Sequence, residues 1–257
     1  MRAKVVALAT TPVKGLRVLA ATQLHVGAAG AADDRRFYLV DERGWMVNGK
    51  RIGALSTVVA VYDAAAGTLS LTFPGGAVAG GAVQLGEEID TRFFSRPARA
   101  RPLLGAWSDA VSEHTGEALR IVEGVGRTGI DRGRGGAVSL ISRASLDGLA
   151  RAAGADSIDA RRFRMTVEID GVAVHEEDGW LGERVRIGEA LVRVGGHVRR
   201  CLITSRDPES GVVDLPTLDL LRSYRSGLDT TEPLPFGVYG AVLEPGTVAL
   251  GDAVELA

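Results

Sequence analysis

The sequence predicts a mainly β protein with some α structure (α+β), arranged as two β-barrel-like units, the second a barrel with a few helices. Three observations carry that expectation. Short runs of Val, Leu, Thr and Tyr alternate with Gly, Asn or Asp turns through the first hundred residues. A Pro- and Arg-rich segment, 95–102, then breaks the pattern as a linker does. Beyond it, strands resume with helical periodicity between them. At roughly 100–200 residues per domain, 257 residues make one large unit or two small ones. The expected division is 1–97 and 103–257.

In the first unit the candidate strands are 4–11, 22–26, 36–41, 57–62, 68–73 and 83–85. The run from Asp41 to Gly44 and the run from Ala65 to Gly67 read as hairpin turns. In the second unit Trp107, Ala110, Val111 and His114 fall at i, i+3, i+4 and i+7, a helical stripe that Gly116 ends. The stretch 124–136 holds six glycines and three arginines, too flexible a composition for regular structure. A strand at 137–141 leads into a helix capped by Ser142 and closed by Gly154, with Leu146, Leu149, Ala150 and Ala153 facing inward. Strands are expected at 164–169, 184–187, 190–194 and about 198–204. Pro216 starts a last helix, and strands at 238–244 and 253–256 close the chain.

Composition removes several classes of function. A net charge of −2 gives no electrostatic case for nucleic acid as main partner. No apolar run approaches the roughly 18 residues that span a bilayer, and the N-terminal apolar run is too short for a signal peptide. A cytoplasmic protein without membrane partners is expected. The single cysteine, Cys201, excludes an intrachain disulfide, a multi-cysteine zinc site and a protein-bound iron–sulfur cluster needing several thiolates. The basic residues are lopsided, three lysines (Lys4, Lys14, Lys50) against 27 arginines, so arginine richness alone says little about function.

The sharpest local feature runs from Arg199 to Gly211, RRCLITSRDPESG. Arginines on the N-terminal side of Cys201 set up a positive field, which favours a thiolate. A thiolate is a nucleophile and a soft metal ligand. Free cysteine is also among the most buried residue types, so a small core residue and a reactive or ligating residue both fit the local pattern. His197 lies four residues before Cys201. On a strand that separation is about 13 Å, too far for a Cys–His pair, and a structural histidine fits better. The run from His175 to Asp178 offers nitrogen and oxygen donors in a row, but adjacent side chains rarely converge on one metal. The glycines of 124–136 lack the Gly-Lys-Ser/Thr of a phosphate loop, which leaves a flap over a substrate mouth or a plain loop.

Arg200-Cys201, followed by Thr204 and the run Asp207-Pro-Glu-Ser-Gly211, resembles the cysteine segment of the MOSC domain, the molybdenum-cofactor sulfurase C-terminal domain. Ser142 to Leu146, Arg161 to Arg164, Glu177 to Trp180, Phe236 to Tyr239 and Pro245 to Asp252 follow MOSC order. Pro12 to Leu16 and Arg35 to Asp41 resemble the N-terminal β-barrel that precedes MOSC in amidoxime-reducing proteins. The resemblance covers nearly the whole chain. It implies a molybdenum cofactor, a molybdopterin whose metal takes one protein thiolate, with Cys201 matching that ligand. Lys14 and Arg36 match N-terminal positions that reach the pterin phosphate, and Arg164, Arg200 and Tyr239 match cofactor-contacting positions. An anionic phosphate wants such cations, and Arg can grip it with two hydrogen bonds.

The same resemblance implies an oxidoreductase that reduces N-hydroxylated small molecules by cleaving N–O, with electrons from a separate flavin or iron–sulfur protein. The rival it leaves open is a non-redox sulfur carrier with Cys201 as a persulfide site. Three departures lie around the implied pocket. Gly15 stands where the family often has Ser, Met165-Thr166 where Pro-Asn is usual, and the Gly/Arg-rich 124–136 replaces a more ordered lead-in. A backbone N–H of Gly15 can still bind an anion.

Overall fold

The computed structural model describes residues 3–126 and 133–257. It is mainly β, with three α-helices among the described residues. The largest sheet has eight strands in the order Val254–Leu256, Arg184–Ile187, Ala190–Arg199, Pro235–Glu244, Val138–Ser142, Val167–Asp170, Lys4–Thr10 and Leu19–Ala21. All its pairs are antiparallel except Val138–Ser142 with Val167–Asp170. Helix α2 (Arg143–Ala152) joins those two strands, as a parallel crossover requires. Ser142 caps it as expected, its hydroxyl accepting from the Ser145 N–H at 3.1 Å.

A five-stranded sheet runs Ile89–Phe93, Arg96–Pro102, Leu119–Gly124, Phe37–Asp41 and Met46–Val47. Two three-stranded sheets complete the β structure, Val59–Asp63 with Thr68–Thr72 and Val78–Ala82, and Gly246–Ala249 with Gln23–Gly27 and Gly30–Ala31. Strands Lys4–Thr10 and Gln23–Gly27 therefore pair with strands of the chain's second half, and Leu19–Ala21 joins the large sheet at its edge through Lys4–Thr10. This crossing is what carries residues 11–18 to the site.

Apolar burial follows the same division of labour. Val13, Leu16, Phe37, Leu39, Leu55, Leu69, Leu71 and Ile121 pack with Trp107 and Val111 of helix α1 (Trp107–Thr115) in one cluster. Gly116 ends that helix in left-handed backbone at φ 70°. Val5, Leu8, Val138, Val167, Ile169, Val185, Val192 and Val238 fill the eight-stranded sheet. Phe163, Met165, Phe236 and Leu221 of helix α3 (Thr217–Tyr224) form a third cluster next to the site. No helix among the described residues is long and apolar enough to cross a membrane.

Several element expectations change. The expected linker 95–102 is the strand Arg96–Pro102, held on both sides by neighbours. Pro97 is tolerated because only one neighbour pairs there; the second joins at Ala100. The expected strand 164–169 starts at Val167. Before it, Ala160–Phe163 is a 3-10 turn, and Arg164 leaves that turn in left-handed backbone at φ 55°. The expected strands 190–194 and 198–204 become one long strand, Ala190–Arg199, and a separate 3-10 turn, Leu202–Ser205. Strands Val78–Ala82, Ile89–Phe93 and Leu119–Gly124 were not expected; glycine, charge and the assumed linker mask them in sequence. In 124–136, where a flap or plain loop was expected, a strand ends at Gly124 and Gly133–Gly136 forms a 3-10 turn; residues 127–132 lie outside the described residues.

Candidate functional site

Segments distant in sequence line one cleft of about 400 Å³, the size of a small-molecule site. Lys14, Gly15, Arg35, Asn48, Lys50 and Phe94 come from the first hundred residues; Ser139, Phe163, Arg164, Met165, Arg199, Arg200, Cys201 and Tyr239 come from the second half. Five of the residues singled out from sequence are thus brought together: Lys14, Arg164, Arg200, Cys201 and Tyr239. Arg36 is not.

Cys201 sits where the long strand ends. Its backbone is extended (φ −140°, ψ 176°) and it caps the 3-10 turn Leu202–Ser205. Its carbonyl accepts from the N–H and the hydroxyl of Thr204, each at 3.0 Å. The backbone is therefore committed while the side chain is exposed. The small-core-residue alternative does not describe this position.

Arg200, next to it, is buried at 6% exposure. Its Nε donates to the Phe236 carbonyl at 2.8 Å, its Nη1 to the Phe163 carbonyl at 2.8 Å, and its Nη2 to the Phe236 carbonyl and the Met165 sulfur. The guanidinium also stacks 5.2 Å from the Phe163 ring centre. Most of its donors hold the floor of the cleft together, and its charge raises the potential from beneath.

Arg35 was not singled out from sequence, yet it lines the cleft. It is 7% exposed, forms an ion pair with buried Asp34, and donates from Nη2 to the Arg164 carbonyl at 2.8 Å. Asp34 in turn accepts from the Thr11 N–H at 2.9 Å. Arg36 turns elsewhere. It donates to Glu123 at 2.6 Å and Asp33 at 3.1 Å, and its guanidinium lies 4.8 Å from the Tyr62 ring centre. Arg35 ends the turn before the strand Phe37–Asp41 in left-handed backbone at φ 49°, which turns the two neighbouring side chains apart; no sequence signal separates them.

Arg164 donates from Nη2 to the Leu16 carbonyl at 2.7 Å, fixing the segment that carries Lys14. Lys14 is 8% exposed, with its ammonium 5.3 Å from the centre of the Phe94 ring. Gly15 has φ +99°, and a Cβ there would come within 3.1 Å of the Asn48 Cα. A serine would be strained in this backbone, which explains the glycine. Tyr239 fits because Gly195 and Gly196 face it across the sheet; a Cβ on Gly196 would lie 2.7 Å from the Tyr239 hydroxyl.

Six basic residues line the cleft and no carboxylate does so among the described residues. Such a site attracts anions. Among the described residues no group of three or more His, Cys, Asp and Glu stands ready for a metal; Cys201 alone can offer a sulfur. Met165 and Thr166 both fit without displacing the cleft. Met165 packs on Arg200, and the Thr166 N–H donates to the Ser139 hydroxyl at 3.0 Å.

Neither histidine near these segments lines the cleft. His197 is 4% exposed with Nδ1 3.2 Å from the Thr231 hydroxyl and Nε2 3.7 Å from Asp178. His175 meets the Tyr224 hydroxyl at 2.9 Å. Burial, aided by the charge of Arg225, pushes His175 down to about 4. Glu177, fully buried, is pushed up by burial although the Ser142 N–H donates to it at 3.1 Å.

Comparison with known proteins gives two family matches. The MOSC domain matches residues 127–255, and the MOSC N-terminal beta barrel domain matches residues 2–109. The chain is similar to mitochondrial amidoxime-reducing component 1 of Mus musculus, 38% identical over 106 residues, covering 38% of this chain and 30% of that protein. It is also similar to the Homo sapiens proteins named mitochondrial amidoxime-reducing component 1 and component 2. Each is 35% identical, the matches covering 38% and 36% of this chain and 31% and 29% of those proteins. The chain thus matches about a third of the length of these relatives. Among solved structures, the chain is similar to the YUAD protein from Bacillus subtilis, the match covering 100% of this chain and 96% of that one at 13% identity and a TM-score of 0.48.

Proposed function

This chain belongs to the MOSC family, and we propose that it is a molybdenum-cofactor oxidoreductase that reduces N-hydroxylated small molecules by cleaving N–O. The observation that carries this reading is the exposed thiol of Cys201 in a cleft that, among the described residues, is lined by six cations and no carboxylate. That donor set fits the group the family implies, a soft metal wanting a thiolate and a pterin phosphate wanting cations. The names of the curated relatives, amidoxime-reducing components, favour the reaction class. The two units are proposed at 1–97 and 103–257, with the cofactor between them; helix α1 and the strand Leu119–Gly124, which follow the boundary in sequence, pack with the first unit.

Within this reading Cys201 supplies the metal ligand, and Lys14, Arg35 and Arg164 hold the phosphate. Tyr239 packs beside the pterin, and Arg200 sets the floor and its potential rather than gripping the phosphate. Bound there, the cofactor would supply the two-electron redox chemistry that N–O cleavage needs. The residues here orient it and exclude water from one side of it. With a single cysteine the chain carries no iron–sulfur relay of its own, so a separate flavin or iron–sulfur protein supplies electrons. A cytoplasmic setting is part of the proposal.

The sulfur-carrier reading is favoured by one observation, the exposure of Cys201. One experiment separates the two. Protein from a host competent for the cofactor is assayed for molybdenum by elemental analysis, for pterin by fluorescence after oxidative release, and for benzamidoxime reduction with reduced methyl viologen. Up to one molybdenum per chain, with turnover, is expected. Well-folded protein that repeatedly lacks metal and pterin, and carries a persulfide, would sink the reductase reading.

A further inference from the structure

The cations of the cleft divide by depth. Lys14, Arg35 and Arg200 are between 6% and 8% exposed and are engaged with neighbouring groups. Lys50 and Arg199 are exposed, and neither side chain has a hydrogen-bond or ion-pair partner among the described residues. Both stand close to the reacting end. Arg199 ends the long strand two residues before Cys201. Lys50 follows Gly49, whose added Cβ would lie 2.5 Å from the Ile203 side chain, two residues after Cys201. A desolvated phosphate is best held by the deep cations, which leaves the rim pair for a second anion.

The rim carries one aromatic ring as well. Phe94 occupies the turn between the strands Ile89–Phe93 and Arg96–Pro102 with φ +55°, a backbone region that disfavours a bulky side chain. The residue is nevertheless 48% exposed and lines the cleft. Strain kept at a site-lining residue is a pointer to function. Asn or Gly would suit the turn better, but neither would offer a ring face for stacking.

We propose that Phe94, Lys50 and Arg199 form a rim subsite that selects N-oxygenated substrates whose planar ring carries a carboxylate or a similar anion. The ring packs on Phe94, and the anion lies between Lys50 and Arg199. The reducible N–O group is left toward Cys201. The assignment of reaction rests on the reductase reading; the ligand class rests on the rim residues alone.

The test uses three probes of one shape: 4-carboxybenzamidoxime, benzamidoxime and 4-(aminomethyl)benzamidoxime. Their affinities for the cofactor-loaded protein are measured by calorimetry at low and high salt, and their reduction by reduced methyl viologen is followed separately. The carboxylate is expected to bind at least tenfold tighter than the neutral probe and the cation weakest, with the preference shrinking in high salt. In Lys50→Gln/Arg199→Gln the ratio between carboxylate and neutral probe should fall to near one. Phe94→Gly should weaken binding of the ring probes while its thermal midpoint holds or rises, because the turn loses its strain. Equal affinities in the wild type, a preference for the cation, or a ratio that survives the double substitution overturns the proposal. The wild-type comparison decides even if a variant fails to fold. A kept affinity order without reduction removes the reductase reading and leaves the subsite; reduction without charge preference does the reverse.

Discussion

Arg35 holds the Arg164 segment although 129 residues separate them, and Arg164 in turn holds the segment of Lys14: Arg35 donates to the Arg164 carbonyl at 2.8 Å, and Arg164 donates to the Leu16 carbonyl at 2.7 Å. Both residues have left-handed backbone, φ 49° and 55°. Each guanidinium therefore closes the cleft from one half of the chain onto the other, and each keeps a charge facing it.

The first prediction follows from that clasp. Arg164→Ala should weaken pterin retention roughly ten- to a hundredfold, as expected for loss of a charge-assisted hydrogen bond of about 1.5–3 kcal/mol; Arg35→Ala should do the same and also destabilise the fold, because it strips buried Asp34 of its cation. Arg36→Ala should leave retention unchanged, since its partners are Glu123, Asp33 and Tyr62. Pterin released per folded chain, measured after dialysis, checks all three. Equal loss in Arg36→Ala would return the phosphate to Arg36.

Arg200 should behave differently. Arg200→Ala leaves the Phe163 and Phe236 carbonyls without their buried donor, so the dominant effect should be on stability, on the order of 2–4 kcal/mol. Urea titration of the cofactor-free protein reads this directly. A stable variant that merely loses pterin would make Arg200 a phosphate ligand after all.

Cys201→Ser replaces a polarizable sulfur with a hard, poorly ionised hydroxyl. Its exposed position and committed backbone mean that the fold should survive. Near-complete loss of N–O reduction is expected, with pterin partly or fully retained and one fewer sulfur neighbour in the molybdenum X-ray absorption spectrum. Wild-type turnover with an unaltered spectrum would remove the ligand assignment. Inactivity alone does not choose between ligand and persulfide; the sulfur count at the metal does.

Acid should destabilise the protein through His175. The group titrates near 6.5 unfolded and about 4 folded. Between those values the unfolded chain binds the extra proton, so stability falls as pH drops from about 6.5 to 4. His197, lowered by burial, acts in the same sense. Glu177, raised by burial, acts oppositely: its ionisation costs stability as pH rises from about 4.5. His175→Gln should remove its share of the acid sensitivity, on the order of 1 kcal/mol once partial exposure is allowed for. Urea midpoints between pH 4 and 7.5 for the variant and the wild type check it; parallel curves would show that His175 is not the group responsible.

Much of the fold was legible from local patterns. The stripe Trp107, Val111 and the stop at Gly116, the cap at Ser142, and the turns at Asp41 and Ala65 depend on residues within one or two helical turns of each other. The strand Arg96–Pro102 was not legible, because its prolines and arginines read as a linker until two partner strands supply the pairing. The end of the long strand at Arg199 was misplaced for a related reason. A 3-10 turn of Leu, Ile, Thr and Ser looks like strand when composition is the only guide.

For the site, the sequence by itself determined the inventory: one thiol, three lysines among many arginines, and a cysteine segment with the order and spacing of the MOSC family. Those are properties of residue type and short spacing, which a linear text carries in full. Only the tertiary structure decided which cations face Cys201. Arg35 and Arg36 are the same residue type at adjacent positions, yet one meets Asp34 and the Arg164 carbonyl while the other meets Glu123 and Tyr62. Arg200 lies next to the thiol in sequence but is committed to the carbonyls beneath it. The physical reason is that a guanidinium goes where acceptors are. Apart from Asp34, next to Arg35 in the chain, those acceptors come from strands and turns 36 to 129 residues away, brought near only by tertiary pairing.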